Sequence, residues 1–148
     1  MFQHKLLGAS LFALLSLFVS SQLFAQEAIE KRQALMKGQS AAAKAIKGAV
    51  EAKDYATIEA KAKDIVGSSE KIADLFPKGS TSDKSRALPA IWEKWDEFSK
   101  NPVKLKEAAS DLAKSAAAKD DAAIPAKVKA LGDVCTACHT PFRAEKKG

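Results

Sequence analysis

Residues 124–142 of the chain read IPAKVKALGDVCTACHTPF, and they carry a helical pattern from end to end. Apolar side chains and cysteines recur there at every third or fourth position: Ile124, Val128, Leu131, Cys135, Cys138 and Phe142. This spacing places them on one face of an α-helix. A short helix with one apolar face must bury that face against other helices, so the stretch predicts a helical bundle.

Three further segments have the same period: the first spans about 28–52, the second about 54–75, and the third begins near Asn101-Pro102. Their apolar stripes are Ile29, Leu35, Met36, Ala42, Ala43, Ala49 and Val50; Tyr55, Ile58, Ala62, Ile65, Ser69, Ile72 and Phe76; and Leu105, Ala108 (or Ala109), Leu112 and Ala116. Asn101 is a good helix cap, and Pro102 suits the first helical position. No stretch alternates with the period of a strand. The sequence therefore predicts an all-α fold, an antiparallel four-helix bundle.

An irregular link, residues 77–88, separates the second and third helical segments and is rich in Gly, Ser and Pro. A short aromatic segment follows it and contains Trp92, Trp95 and Phe98. We expect this segment to form a partial helix that covers one end of the bundle. Its aromatic side chains are interpreted as core residues and are given no functional role.

The pentapeptide Cys135-Thr136-Ala137-Cys138-His139 is the attachment signature of a c-type haem. Positions i and i+3 of a helix face the same way, so both thiols can reach two vinyl groups on one porphyrin edge. His139 lies one turn beyond Cys135, where its imidazole can bind the iron. Because both cysteines fall on the apolar stripe, the covalently attached haem is predicted to point into the bundle core.

Other uses of the motif can be compared by counting ligands. The chain has two cysteines, and its second histidine, His4, lies in a segment predicted to be removed. A closed structural zinc site needs four ligands and would find only three here. A redox-active dithiol and a structural disulfide stay open as alternatives. The first normally follows a strand, and the second gives the adjoining histidine no role.

Residues 1–25 have the pattern of a secretory signal peptide. Lys5 gives the positive start, residues 6–24 form an apolar run, and Ala25 supplies a small residue before a cut ahead of Gln26. An uncleaved membrane anchor is the alternative, because the run is nearly long enough to span a bilayer. Covalent haem attachment in bacteria takes place outside the cytoplasm. The sequence thus predicts a periplasmic protein with one domain, residues 26–148, and no membrane span in its mature form.

The formal net charge is +6, and the lysines are scattered rather than clustered. This pattern does not indicate a nucleic-acid-binding protein, and it favours an acidic or mixed redox partner protein. No nucleophile is accompanied by a base, and His139 is already used, so the chain is not expected to be an enzyme.

Four stretches together resemble the class II c-type cytochromes, the family of the cytochromes c′ and the low-spin cytochromes c-556. They are Arg32-Gln33-Ala34-Leu35-Met36, Phe76-Pro77-Lys78-Gly79-Ser80, Pro89-Ala90-Ile91-Trp92, and the haem motif with its continuation Thr140-Pro141-Phe142-Arg143. The cytochromes c′ are four-helix bundles. Family members often dimerise through their first two helices, so the resemblance also implies a homodimer as one assembly. Pro141 departs from the pattern and is expected to kink or loosen the last helix.

The resemblance also implies roles for three residues. Met36 occupies the position that faces the iron, where six-coordinate members bind iron through methionine and five-coordinate members carry a shielding side chain; simple core packing is the third alternative. Arg32 is implied as a contact of a haem propionate, with a solvent-exposed arginine as the alternative. Arg143 is implied near the His139 imidazole, where it would tune the iron, or else as a favourable charge at a helix end.

The sequence supports two functions for a single covalent haem c. The first is electron transfer with the iron bound by His139 and Met36, with Lys127, Lys129, Lys146 and Lys147 contributing to partner docking. The alternative is binding of NO or CO at an open iron position, with Met36 only a shield. A haem-free dithiol oxidoreductase that uses Cys135 and Cys138 is a third and weaker hypothesis.

Overall fold

The computed structural model describes the backbone of residues 6–145 and the side chains of residues 23–145. Its helices are α1 (Leu6–Glu51), α2 (Tyr55–Ser69), α3 (Ala90–Glu93), α4 (Trp95–Phe98), α5 (Lys100–Ala117) and α6 (Ile124–Phe142). The four long helices form an antiparallel four-helix bundle, which confirms the predicted fold. Over residues 6–145 the chain forms no β-strand, only one isolated bridge between Ala87 and Arg143.

The long helices pack in a chain of neighbours: α1 against α2, α2 against α5, and α5 against α6. The fourth side is different, because α1 and α6 barely touch. The fully buried core side chains include Ile46, Ile58, Ala62, Leu112 and Ala116, which share the faces that the stripes indicated. Burial of such apolar side chains stabilises the bundle by about 25 cal/mol per Å² removed from water. The other neighbouring pairs of long helices pack closely, whereas α1 and α6 leave a space between them.

Two short turns close one end of the bundle. The Oδ1 of Asp54 accepts a hydrogen bond of 3.0 Å from the Thr57 N–H and caps α2. Lys53 and Lys119 both have φ of 54°, and each ends a long helix in the left-handed conformation. The N–H groups that follow them, of Asp54 and Asp120, bond back to carbonyls five residues earlier. This arrangement satisfies carbonyls that the last helical turn leaves without partners.

One predicted helix boundary is wrong, and so is one predicted helix cap. The second helix ends at Ser69 rather than near residue 75, and a separate 3₁₀ turn, Ala73–Leu75, follows it. The third begins at Lys100, directly after α4. The Asn101 amide does not cap it, because its Nδ2 donates backwards to the carbonyls of Glu97 (3.1 Å) and Phe98 (3.2 Å). The Asn101 amide is already hydrogen-bonded to the preceding helical turn, so it is not available to cap α5.

The link, residues 77–88, is held against the end of α6. The Leu88 N–H donates to the Phe142 carbonyl at 3.1 Å, and the Ala144 N–H donates to the Arg86 carbonyl at 2.8 Å. Helix α6 continues through Pro141 and ends one residue later, at Phe142. The kink expected at Pro141 stays a prediction. The link and the end of α6 thus lie together, at the end of the bundle opposite the two short turns.

The predicted aromatic cover is confirmed in part. Phe98 is 2% exposed, and the indole N–H of Trp92 donates to the carbonyls of Phe76 and Pro77. Trp95, in contrast, is 38% exposed, so its prediction as a core residue is wrong. Trp95 begins α4 after a break at Lys94, and this break turns its side chain toward the surface.

Helix α1 starts at Leu6, well before the residue at which the first apolar stripe begins. Residues 1–5, and the side chains up to residue 22, lie outside the described part of the structure. The predicted signal peptide falls mostly on these residues, and its cleavage stays a prediction. Among the residues that the structure does describe, no helix combines the length and the apolar character needed to cross a membrane.

Candidate functional site

A cavity of about 470 Å³ fills the space between α1, α6 and the link. This volume lies within the roughly 300–1,000 Å³ typical of cofactor and ligand sites. The cavity brings together the six residues to which the sequence analysis gave a role at the haem: Arg32, Met36, Cys135, Cys138, His139 and Arg143. Its presence explains why α1 and α6 make so little contact with each other.

One wall of the cavity is formed by α6. Cys135 and Cys138 are half-buried free thiols, and the His139 imidazole is half-buried beside them. Burial raises the pKa of the Cys135 thiol, and burial together with the charge of Cys135 raises the pKa of Cys138 to about 11. A redox-active C-x-x-C pair normally has a lowered thiol pKa. These raised values argue against the dithiol oxidoreductase hypothesis.

The facing wall is formed by α1. Met36 is half-buried and lines the cavity, with Arg32 one turn before it and Gln39 nearly one turn after it on the same helix face. The Gln39 Nε2 donates to the Ser68 Oγ at 2.9 Å and so ties this wall to α2. Gln39 was missed by the sequence analysis, because a polar residue on a mostly apolar stripe gives no separate signal. The only sulfur on this wall faces the same cavity as His139.

Three phenylalanines, Phe76, Phe98 and Phe142, line the cavity, and Phe98 contacts the other two. The ring centroid of Phe98 lies 4.8 Å from that of Phe76 and 5.4 Å from that of Phe142, and both pairs have edge-to-face geometry. Such pairs contribute about 0.5–1.5 kcal/mol beyond their area burial. The three rings give the cavity an apolar end.

Arg32 is held deep in this site, at 4% exposure, so the alternative of a solvent-exposed arginine is wrong. Its Nη1 donates to the Ser80 Oγ (2.9 Å), and its Nη2 donates to the Ser80 carbonyl and the Ser85 Oγ (both 2.6 Å). The guanidinium carbon also lies 4.8 Å above the centre of the Phe76 ring. Arg32 therefore clamps the link onto α1. Its predicted contact with a propionate stays a prediction.

We expect Arg32→Met to destabilise the protein by about 2 kcal/mol. The substitution keeps an apolar stem over Phe76 but leaves the buried Ser80 groups without their donor, and each unsatisfied buried group costs about 1–3 kcal/mol. Denaturant unfolding followed by far-ultraviolet circular dichroism measures the loss. Gln33→Met is the matched control, because Gln33 is exposed and donates one bond to the same link, at the Lys84 carbonyl. Equal losses in the two variants would contradict the clamp.

Arg143 follows the last residue of α6, and its N–H donates to the His139 carbonyl at 3.0 Å. Burial, with the nearby charges of Arg143 and Arg86, holds the pKa of His139 below its ordinary value. The imidazole is thus neutral at neutral pH, as iron ligation requires. Arg143 thus lies beside His139, and its influence on the iron stays a prediction.

Four lining residues of the link were missed by the sequence analysis: Lys84, Ser85, Arg86 and Ala87. The link has no periodicity, and a loop rich in Gly, Ser and Pro gives no signal for which side chains turn inward. Only the hydrogen bonds to Arg32, Gln33, Phe142 and Ala144 place it over the cavity.

The donor set of the cavity fits a c-type haem. Two thiols one helical turn apart and an adjacent imidazole line one wall, a thioether lines the other, and arginines suit the propionates. Among the described residues, no cluster of three or more His, Cys, Asp or Glu side chains offers a different metal site.

Comparisons with known proteins agree with this assignment. A family model described as cytochrome c′ matches residues 27–143. A cytochrome c-556 of Agrobacterium tumefaciens (strain II Chrys) is 35% identical over 121 residues, which cover 80% of this chain and 98% of that protein. A cytochrome c′ of Rhodospirillum rubrum is 40% identical over 85 residues, 57% of this chain and 58% of that protein. The second match thus spans little more than half of the relative's length.

Among solved structures, one neighbour is a cytochrome c′ described as having an unusual ligand-controlled dimer dissociation. It is 27% identical, has a TM-score of 0.76, and the match covers 82% of this chain and 97% of that one.

Proposed function

Because this chain belongs to the cytochrome c′ family, whose members carry a single covalently attached haem c, we propose that it is an electron carrier with a six-coordinate iron. Cys135 and Cys138 hold the cofactor as thioethers, His139 binds the iron on the α6 side, and Met36 binds it on the α1 side. Bound haem c supplies a one-electron couple, and methionine ligation favours a low-spin iron with a raised potential.

One observation carries this proposal: Met36 of α1 and His139 of α6 line the same cavity. Both side chains are half-buried in walls that tertiary contacts hold in place, so little rearrangement accompanies a change of oxidation state. Arg32 and Gln39 anchor the α1 wall on either side of Met36. The inner part of the lining is largely apolar.

A second candidate function is binding of NO or CO at an open iron position. The similarity to proteins named cytochrome c′ favours it, because the five-coordinate members of the family leave the position facing α1 unligated. In this case Met36 shields the iron without bonding to it. The apolar end formed by the three phenylalanines suits a small uncharged gas as well as it suits a buried cofactor.

Export and assembly complete the proposal. The family match begins at residue 27, just after the predicted cleavage site, and supports a signal peptide over residues 1–25 and a periplasmic domain over residues 26–148. The neighbour with a ligand-controlled dimer supports a homodimer as an assembly of this chain.

The optical spectrum of the purified holoprotein tests the function. We expect sharp low-spin bands in both oxidation states and no change when CO is added to the reduced protein. A high-spin spectrum that shifts with CO would overturn methionine ligation and put gas binding in its place.

A further inference from the structure

The mouth of the cavity is basic. Of the described residues that line the cavity, four are exposed, Gln33, Lys84, Arg86 and Arg143, and they define the cavity mouth. Three of the four carry a positive charge. No Asp or Glu lines the cavity anywhere within residues 23–145. An opening whose charged border residues are all cations has a positive local potential, which attracts anionic partners and raises their association rate.

The cations of the mouth are not engaged in ion pairs with the described residues. Within the described side chains, Lys84, Arg86 and Arg143 form no ion pair, while nine other basic side chains do. Two of the lysines that the sequence analysis assigned to docking are among those paired: Lys127 lies 3.1 Å from Asp111 and Lys129 lies 2.7 Å from Asp133. The other two, Lys146 and Lys147, lie outside the described residues.

We propose that the cavity mouth is the docking surface for an acidic protein that exchanges electrons with the cofactor. This inference rests on the proposed electron-carrier function and deepens it by naming where the partner binds and what chemistry it has. The buried Arg32 adds a fourth cation behind the mouth. The two propionates of a haem c would offset two of these four charges, so a positive surplus remains to face the partner.

Hydrogen bonds hold the link in place and so fix the positions from which Lys84 and Arg86 project. The backbone on both sides of Lys84 and Arg86 is held by the Arg32 bonds to Ser80 and Ser85 and by the Ala144 bond to the Arg86 carbonyl. Both side chains therefore project from fixed points on the rim. A partner that docks there sits directly over the opening, where the distance for electron transfer is short.

The test is the charge-reversal variant Lys84→Glu/Arg86→Glu. Its side chains make no strong contact in the fold: the one bond involved is 3.5 Å long, from the Arg86 Nη1 to the Ala144 carbonyl. The link is held through backbone groups, which the substitutions leave in place. Lys44→Glu/Lys47→Glu is the matched control, since both lysines are exposed and unpaired on the described part of α1 and lie beyond the cavity toward the two short turns. The two variants have the same net charge.

Calorimetry on the holoprotein measures the affinity for poly-L-glutamate, which stands in for an acidic partner. Ferricyanide is a small anion, so the rate at which it oxidises the reduced protein reports the electrostatic potential at the cavity mouth. Both are measured at about 0.1 M ionic strength, where the Debye length is about 10 Å. Interactions with distant charges of the protein are then largely screened, whereas interactions with charges at the cavity mouth persist. We expect the mouth variant to slow ferricyanide oxidation about tenfold and to lose most poly-L-glutamate binding, with the control within about twofold of wild type.

Equal effects in the two variants, or none in either, would overturn the docking surface. Failure of the electron-carrier function is recognised separately, because it appears as a CO-responsive high-spin spectrum in the wild-type protein. Binding of poly-L-glutamate does not depend on the spin state of the iron. If the mouth variant loses that binding while the wild type binds CO, the basic mouth stands and the electron-carrier function fails.

Discussion

Met36→Leu is expected to convert the protein from low-spin to high-spin and to open the reduced iron to CO. Leucine has nearly the same volume as methionine, so the half-buried α1 wall stays packed, but the thioether ligand is gone. Loss of that ligand also lowers the reduction potential, which axial ligands set over a range of about 0.8 V. Optical spectra with and without CO, together with a redox titration, measure both effects.

Leu35→Met provides the matched control for this result. Leu35 is half-buried and packs on the core, but it does not line the cavity. A methionine placed there points about 100° away around the helix from position 36, so the double variant Leu35→Met/Met36→Leu is not expected to restore the low-spin spectrum. An unchanged spin state with faster CO binding in Met36→Leu would show that Met36 is a shield and would favour the gas-binding function.

The helices and the haem wall could be predicted from the sequence because both depend on local spacing. The apolar stripe of residues 124–142 is read at intervals of three and four, and the same intervals place Cys135 and Cys138 on the cavity side. A residue's neighbours along one helix are enough for such an inference. The position of Met36 needed the family resemblance, since a methionine on a stripe is usually core filler.

The role of Arg32 could not be predicted, because it depends on contacts far apart in the chain. Its hydrogen-bond partners Ser80 and Ser85 lie 48 and 53 residues away, in a link without periodicity. The sequence analysis considered two roles for Arg32, a contact with a haem propionate and exposure to solvent. Neither role includes its hydrogen bonds to the link. The basic mouth was missed for the same reason: Lys84 and Arg86 meet Arg143 only after the link pairs with the end of α6.

Phe98→Ala is expected to destabilise the protein by about 3–5 kcal/mol, the range for removing a fully buried aromatic side chain. Phe98 is 2% exposed and contacts the rings of Phe76, Trp95 and Phe142 at 4.8–5.4 Å. Its loss leaves a void that α4 and α5 cannot close without moving the link. Denaturant unfolding of the holoprotein by circular dichroism measures the change.

Trp95→Ala is the matched control for Phe98→Ala, because it separates the effect of losing an aromatic contact on stability from the effect of losing a buried side chain. Trp95 touches the same ring, with centroids 5.4 Å apart, but is 38% exposed, so we expect a loss of about 1 kcal/mol. Phe98 also lines the cofactor cavity, whereas Trp95 does not. Phe98→Ala should therefore lower the reduction potential as well, because water admitted near the iron stabilises the more highly charged ferric state. If the two variants lose equal stability and keep the wild-type potential, then Phe98 neither supports the bundle core nor keeps the cofactor dry.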